Sequence, residues 1–178
     1  SLEKTDLQQF STPLPIAVSA AKAADVRAGD VVLEPTAGTG HLVASLDPKD
    51  ITIQMMELSP RRARLLENLG GYQVKEGDYL ADLTRKESAD VIITNPPWGK
   101  YTTGKYGVPI GVKFTPGDVA ERFIAKNVRD LKPGGRLVAV MPTTMLGPRG
   151  TEFRVYLRQN GAIRALIKSP PDAYRTRS

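Results

Sequence analysis

Short apolar runs alternate with helical patterns along most of this 178-residue chain, and that alternation leaves few folds open. Val31 to Glu34, Ile51 to Glu57, Tyr72 to Glu76, Asp90 to Thr94, Leu137 to Met141 and Ile163 to Lys168 read as strands. The runs at 31, 90 and 137 are apolar at consecutive positions, so burial on both faces is expected. Between them, Pro13 to Ala24 is Ala-rich with proline at its start, and Pro60 to Leu69 ends at Gly70-Gly71 as a helix C-terminus should. Asp118 to Leu131 carries apolar residues at helical spacing before "KPGG", and Arg154 to Gln159 belongs to a further helix. Strands alternating with helices build βαβ units. The expected fold is therefore one α/β domain over 1–178, a doubly wound, mostly parallel sheet with helices on both faces.

The totals exclude several chemistries. Cys is absent, so disulfides and thiolate zinc sites are out, and a single His, His41, gives little basis for a histidine metal centre or base. No metal is expected. No apolar run approaches the roughly 20 residues of a membrane span, and no signal-peptide pattern opens the chain. A cytoplasmic protein without a membrane partner is the expectation. An excess of 25 Lys+Arg over 19 Asp+Glu, +6 in all, suits a polyanionic partner. Ser1 and the ending "PDAYRTRS" suggest a piece of a longer polypeptide.

"VVLEPTAGTGHL" is a strand, a glycine turn and an expected helix start. Gly38 and Gly40 let backbone approach a ligand closely, and a helix N-terminus would offer free N–H groups. The spacing is neither the three-glycine dinucleotide pattern nor a P-loop, since no Gly-Lys-Ser/Thr follows. Glu34, just ahead of the glycines, would repel a phosphate and welcome a cation. Glu57 ends the second strand about twenty residues past the glycines, placed to accept from ribose hydroxyls. Asp78 follows the third strand. Taken singly, Glu57 would equally cap the helix after Pro60, and Asp78 a turn; taken in order, three acids mark one rim of a parallel sheet.

A ligand with a cation, a ribose and an exocyclic amine but no phosphate describes S-adenosylmethionine. From Gln9 to about Ile167 the chain resembles the Rossmann-like class I methyltransferases. The resemblance implies that Glu34, Pro35, Thr36, Ala37, Gly38 and Gly40 hold the methionine end. It also implies that Glu57 with Leu58 holds the ribose and Asp78 with Tyr79 the adenine. That fold normally closes with a strand hairpin; Ile163 to Lys168 is a candidate for its first arm, and nothing follows for the second.

"NPPW" comes at the end of the fourth strand, on the same rim. Pro96 and Pro97 remove two N–H donors and leave their carbonyls, so the Asn95 side-chain oxygen and the Pro96 carbonyl form a stiff pair of acceptors. Such acceptors suit a conjugated –NH2, and Trp98 offers a flat face for a base. Proline pairs also end strands, and a tryptophan is also a packing residue. The motif resembles that of amino-methyltransferases, which methylate nitrogens conjugated to a π system; Asn95, Pro96, Pro97 and Trp98 are then the catalytic set.

"QQFSTP" ahead of the glycine strand is similar to the N-terminal cofactor motif of adenine-N6 DNA methyltransferases, including restriction-modification subunits. It implies that Gln9, Phe10, Ser11, Thr12 and Pro13 close over the cofactor, although Ser11-Thr12-Pro13 is by itself an ordinary helix start. The two blocks also resemble methylase domains fused to helicase-like proteins of phages and plasmids. DNA with its target base flipped out is the expected partner, and Lys100, Tyr101, Lys105, Tyr106 and Lys113 in the glycine-rich stretch after Trp98 are candidates to contact it. Arg61, Arg62 and Arg64 read as the wet face of a helix, and His41 as a helix-start residue. No segment is left to read a DNA sequence, so other domains or subunits are expected to do so. Two alternatives stay open: transfer to a protein glutamine amide or an RNA base, and a non-catalytic cofactor- or DNA-binding module.

Overall fold

The computed structural model describes residues 11–99, 118–170 and 173. Helix α1 (Leu14–Ala23) leads into β1 (Val31–Glu34), β2 (Thr52–Glu57), α2 (Pro60–Leu69), β3 (Gln73–Glu76) and β4 (Ala89–Thr94). After the segment 100–117 come α3 (Val119–Asp130), β5 (Leu131–Ala139) and α4 (Thr151–Asn160), with single 3₁₀ turns between elements. The strands form one sheet in the order β3-β2-β1-β4-β5, every pairing parallel. The direction of winding reverses between β1 and β4, and in open parallel sheets that switch point opens a crevice at the strands' carboxyl ends. The expected doubly wound fold is the observed one. Among the described residues, no helix is long and apolar enough to cross a membrane.

Consecutive strand residues feed opposite faces, which is why these strands read as unbroken apolar runs. Val32, Ile53, Met55, Val91 and Ile93 pack on one side with Ala17, Ala20 and Ala24. Leu33, Met56 and Ile92 pack on the other with Val119 and Phe123 of α3. The small side chains of α1 let that helix lie close to the sheet.

Three local expectations fail. The six residues His41 to Leu46 form turns instead of a helix, because Asp47-Pro48 follows too soon for a second turn to propagate; Leu42 and Val43 still reach the core. Strand β5 begins at Leu131, six residues earlier than read. Its Lys132–Gly135 insert lies opposite Asp90 alone, between the pairs Ala89↔Leu131 and Val91↔Arg136. Gly134 takes φ +78°, and a Cβ at Gly135 would stand 2.9 Å from the Lys132 carbonyl and 3.1 Å from that of Asp90. The glycines thus absorb the extra residues while the strand continues. Ile163 to Lys168 forms no strand, and Ile163, Leu166 and Ile167 are 45%, 65% and 81% exposed. Among the described residues it has no strand to pair with, and an unpaired extended segment has nothing to hold it as a strand.

Helix α3 is buried on nearly all sides, its charged residues included. Lys126 pairs with Asp130 one turn on, and Asp130 also accepts the Tyr79 hydroxyl at 2.9 Å. The Lys126 ammonium lies 3.9 Å from the centre of the Tyr79 ring, which stacks on Phe123 at 6.2 Å. Buried charges persist only when paired in this way, and here the pairing fixes Tyr79 beside the sheet's carboxyl rim.

Asp82 ties the turns after β3 back to the sheet. Its carboxylate accepts the Thr84 N–H at 3.1 Å, the Thr84 hydroxyl at 2.6 Å, Lys75 at 2.9 Å and Arg85 at 3.0 Å, while Arg85 reaches on to Gln54 of β2. Burial alone would push the carboxyl up, but the hydrogen bonds from Thr84, Lys75 and Arg85 together hold it well below the usual carboxylate range. A depressed folded-state pKa contributes stability that is present above the unfolded value and lost as pH falls through the folded one. Asp82→Asn is therefore expected to cost about 2 kcal/mol at pH 7. In urea melts of wild type and variant, the gap should stay constant from pH 7 to 5 and shrink as pH falls below about 4.

Candidate functional site

A cavity of about 300 Å³ opens at the carboxyl ends of β1, β2 and β4. Its walls include most residues expected from the sequence: Ser11 and Thr12; Glu34 through Gly38; Glu57 with Leu58; Asp78 with Tyr79; and Asn95 through Trp98. Pro13 and Gly40 do not line it. Gln9, Phe10, Lys100, Tyr101, Lys105, Tyr106 and Lys113 lie outside the described residues.

The loop after β1 is laced to both neighbouring strands. The Ala37 N–H donates to the Met56 carbonyl at 2.9 Å, and the Gly38 N–H to Glu57 Oε2 at 2.7 Å. On the other side, Thr36 Oγ1 lies 3.1 Å from Thr94 Oγ1 and donates to the Asn95 carbonyl at 3.2 Å. Gly38 has φ +57° and Gly40 φ +74°, a region that side chains rarely enter, so two glycines let the chain double back over the ends of β1 and β2.

The acids differ in their surroundings. Glu57 is nearly buried and already bonded, with Oε2 on Gly38 and Oε1 on the Ser59 N–H at 2.8 Å. It caps the start of α2 and lines the cavity at once; each oxygen keeps a second lone pair for a ligand hydroxyl. Asp78 likewise accepts the Leu80 N–H at 2.9 Å and faces the cavity rim. Glu34 is 1% exposed, and its Oε2 has no hydrogen-bond partner among the described residues. Burial, with the Glu57 charge adding to it, pushes the Glu34 carboxyl well above the usual range. A buried carboxyl with an unused oxygen at the wall of a cavity fits a ligand that brings positive charge. With Glu57 and Asp78 further along, this donor and acceptor set fits S-adenosylmethionine.

At the fourth strand's end, Asn95 is half-buried, and its Nδ2 donates to Thr12 Oγ1 at 3.0 Å. Pro96 is buried, and Pro97 and Trp98 are half-buried on the cavity wall. Gly99 follows; its N–H lies 3.3 Å from the Asp118 carboxylate, and its carbonyl accepts the Val119 N–H at 2.9 Å. The strand's exit and the start of α3 are thus tied together beside Trp98.

The cavity also takes residues that the sequence reading passed over. Thr39 and His41 belong to the glycine stretch itself, and they reach the cavity because the chain turns there instead of entering a helix. Arg62 is half-buried at the cavity rim, unlike its exposed neighbours Arg61 and Arg64. Its position two residues into α2, directly after the Glu57 end of β2, was the available signal. Phe123 comes from α3, and nothing local in the sequence points to it.

A family model described as the methyltransferase small domain matches residues 14–150. Among solved structures, the chain is similar to the putative methyltransferase in a complex with the Haloferax volcanii Trm112 methyltransferase activator. Identity is 17% over 78% of this chain and 56% of that one, with a TM-score of 0.53. It is also similar to coclaurine N-methyltransferase bound to N-methylheliamine and SAH, at 17% identity over 71% of this chain and 34% of that one, with a TM-score of 0.50. At these identities the likeness concerns the fold. The chain spans from 34% to 56% of the length of these two structures. No curated protein matches it.

The two loop glycines make different demands. At Gly38 the nearest atom to an added Cβ is 4.0 Å away, so Gly38→Ala meets only backbone strain, about 1 kcal/mol. At Gly40 the added Cβ would also stand 3.0 Å from Leu66 Cδ2 and 3.5 Å from Met55 Cε. Gly40→Ala is expected to cost about 2–3 kcal/mol, strain and overpacking together. Chemical denaturation should rank the two variants in that order.

Proposed function

The chain belongs to the methyltransferase small domain family, and from that we propose that it transfers a methyl group to an exocyclic amine, adenine N6 in DNA being the substrate its motifs favour. S-adenosylmethionine is the cofactor that the family, the fold and the donor set agree on. When bound, it supplies a sulfonium methyl that an amine nitrogen would take with its lone pair, the C–S electrons staying on sulfur and the methylated, now acidic, nitrogen then losing a proton to water.

The observation that carries the reading is that Asn95-Pro96-Pro97-Trp98 shares one cavity with Glu34, Glu57 and Asp78. An amine attached to a π system holds its lone pair in conjugation and is a weak nucleophile. Acceptors aimed at both of its protons favour the pyramidal form that attack requires, and they act as fixed dipoles with no titrating base. The Asn95 amide oxygen and the Pro96 carbonyl are the acceptors offered. Proline at 96 and 97 leaves no backbone N–H to compete there, and it stiffens the turn so that little reorganisation is needed. Trp98 presents a flat face on which a base would stack, worth about 1–3 kcal/mol. Glu34 and Glu57 would hold the cofactor's charged and hydroxyl groups in the same cavity. The net charge of +6 supports a polyanionic substrate. Reading a particular DNA sequence would fall to other domains or subunits.

Mass spectrometry of nucleosides from DNA incubated with the protein and labelled S-adenosylmethionine tests this. N6-methyladenine is expected. Asn95→Ala should reduce its formation at least about a hundredfold while leaving cofactor affinity nearly intact. Label appearing on a protein glutamine or on RNA, and never on DNA, would overturn the adenine assignment.

A further inference from the structure

Thr12 touches both walls of the cavity at once. It is 7% exposed, low for a residue outside any helix or strand. Its backbone carbonyl lies 3.1 Å from His41 Nδ1 in the glycine stretch, and its hydroxyl oxygen accepts from Asn95 Nδ2 at 3.0 Å. Ser11 beside it meets Thr39 at a long 3.5 Å. A carbonyl can only accept, so Nδ1 is the protonated nitrogen in the His41 contact.

The consequence concerns Asn95. The terminal torsion of an asparagine is broad and roughly two-fold, so a carboxamide without a fixed partner exchanges its oxygen and nitrogen ends at small cost. The two ends are opposite in chemistry: the oxygen accepts, the nitrogen donates. With nitrogen bound to Thr12, the oxygen is the end turned away from Thr12. Reversed, the side chain would set an NH2 against a substrate NH2.

We infer that Thr12 is a positioning residue for methyl transfer, one that sets the rotation of the Asn95 carboxamide and is itself held in place by His41. The inference rests on the reading of Asn95 as an acceptor for the substrate amine. It gives Thr12 a different task from closing over the cofactor. It also gives His41 a task, because the imidazole fixes the Thr12 backbone from the glycine side of the cavity. Thr36 completes the arrangement by fixing the Asn95 backbone carbonyl, so main chain and side chain are set by different threonines.

Side-chain amide NMR combined with steady-state kinetics tests the inference. The Asn95 NH2 signals are assigned by their loss in Asn95→Ala, then compared in wild type, Thr12→Val and Thr12→Ser. Hydrogen-bonded, slowly exchanging Asn95 amide protons are expected in wild type and Thr12→Ser, and lost in Thr12→Val. Transfer to adenine-containing DNA should fall about tenfold in kcat for Thr12→Val, with the KM for S-adenosylmethionine unchanged and Thr12→Ser restoring the rate. Unchanged Asn95 amide signals in Thr12→Val would overturn the inference. So would a raised cofactor KM with kcat intact, which would make Thr12 a cofactor contact. If Asn95→Ala transfers methyl like wild type, the reading of Asn95 fails and the inference with it. That outcome differs from a failure of Thr12 alone, in which Asn95→Ala is inactive and Thr12→Val is normal.

Discussion

Two carboxylates buried at the ends of adjacent parallel strands set the terms for this molecule. Glu34 ends β1 and Glu57 ends β2, at 1% and 4% exposure, and desolvating two acids side by side is costly. Glu57 recovers that cost from backbone, taking the N–H groups of Gly38 and Ser59. To offer its N–H there, the chain after β1 must double back, which is why Gly38 and Gly40 sit at positive φ. Burial, with the Glu57 charge beside it, pushes the Glu34 carboxyl well above the usual range, so this acid suits a ligand that brings positive charge. The loop geometry, the cavity behind it and the charge of the ligand it suits all follow from this one arrangement.

The remaining walls are fixed by pairings of the same kind at longer range. Tyr79 is held by Asp130 and Lys126 from α3, elements far apart in sequence. The turns after β3 depend on Asp82 gathering Lys75 and Arg85. Asn95 donates its side-chain N–H to Thr12 and accepts from Thr36 at its carbonyl, so the residue proposed to receive the amine is constrained at both its backbone and its side chain. Preorganisation of this sort is what transfer by positioning requires, since no titrating base is invoked.

Much of this was legible in the sequence because it is local. The runs that became β1 and β4 are apolar on both faces, and α2 begins at Pro60 and ends before Gly70, so their limits follow from short-range chemistry. The acid-glycine-acid order along one rim, and NPPW after β4, pointed to residues that line the cavity. What was not legible depends on length or on distant partners. Turns replace a helix after Gly40 because Pro48 is too near, and a glycine insert lets β5 start early while "KPGG" still ends α3. Ile163 to Lys168 has strand composition but pairs with no strand among the described residues. Lys126 and Asp130 look like surface charges until Tyr79 is brought over them, and Phe123 carries no local mark of its place in the cavity.

The cavity fits a cationic nucleoside, and the buried Glu34 carboxyl in its wall is the group proposed to meet that charge. Calorimetric titration of the protein with S-adenosylmethionine, repeated in buffers of different ionisation enthalpy, tests this directly. A carboxyl whose pKa is raised by burial should give up bound proton when a cation binds beside it, so the measured heat is expected to vary with the buffer. Glu34→Gln should bind more weakly and lose that variation. Failure of the wild type to bind, or equal affinity and equal buffer dependence in Glu34→Gln, would contradict the account.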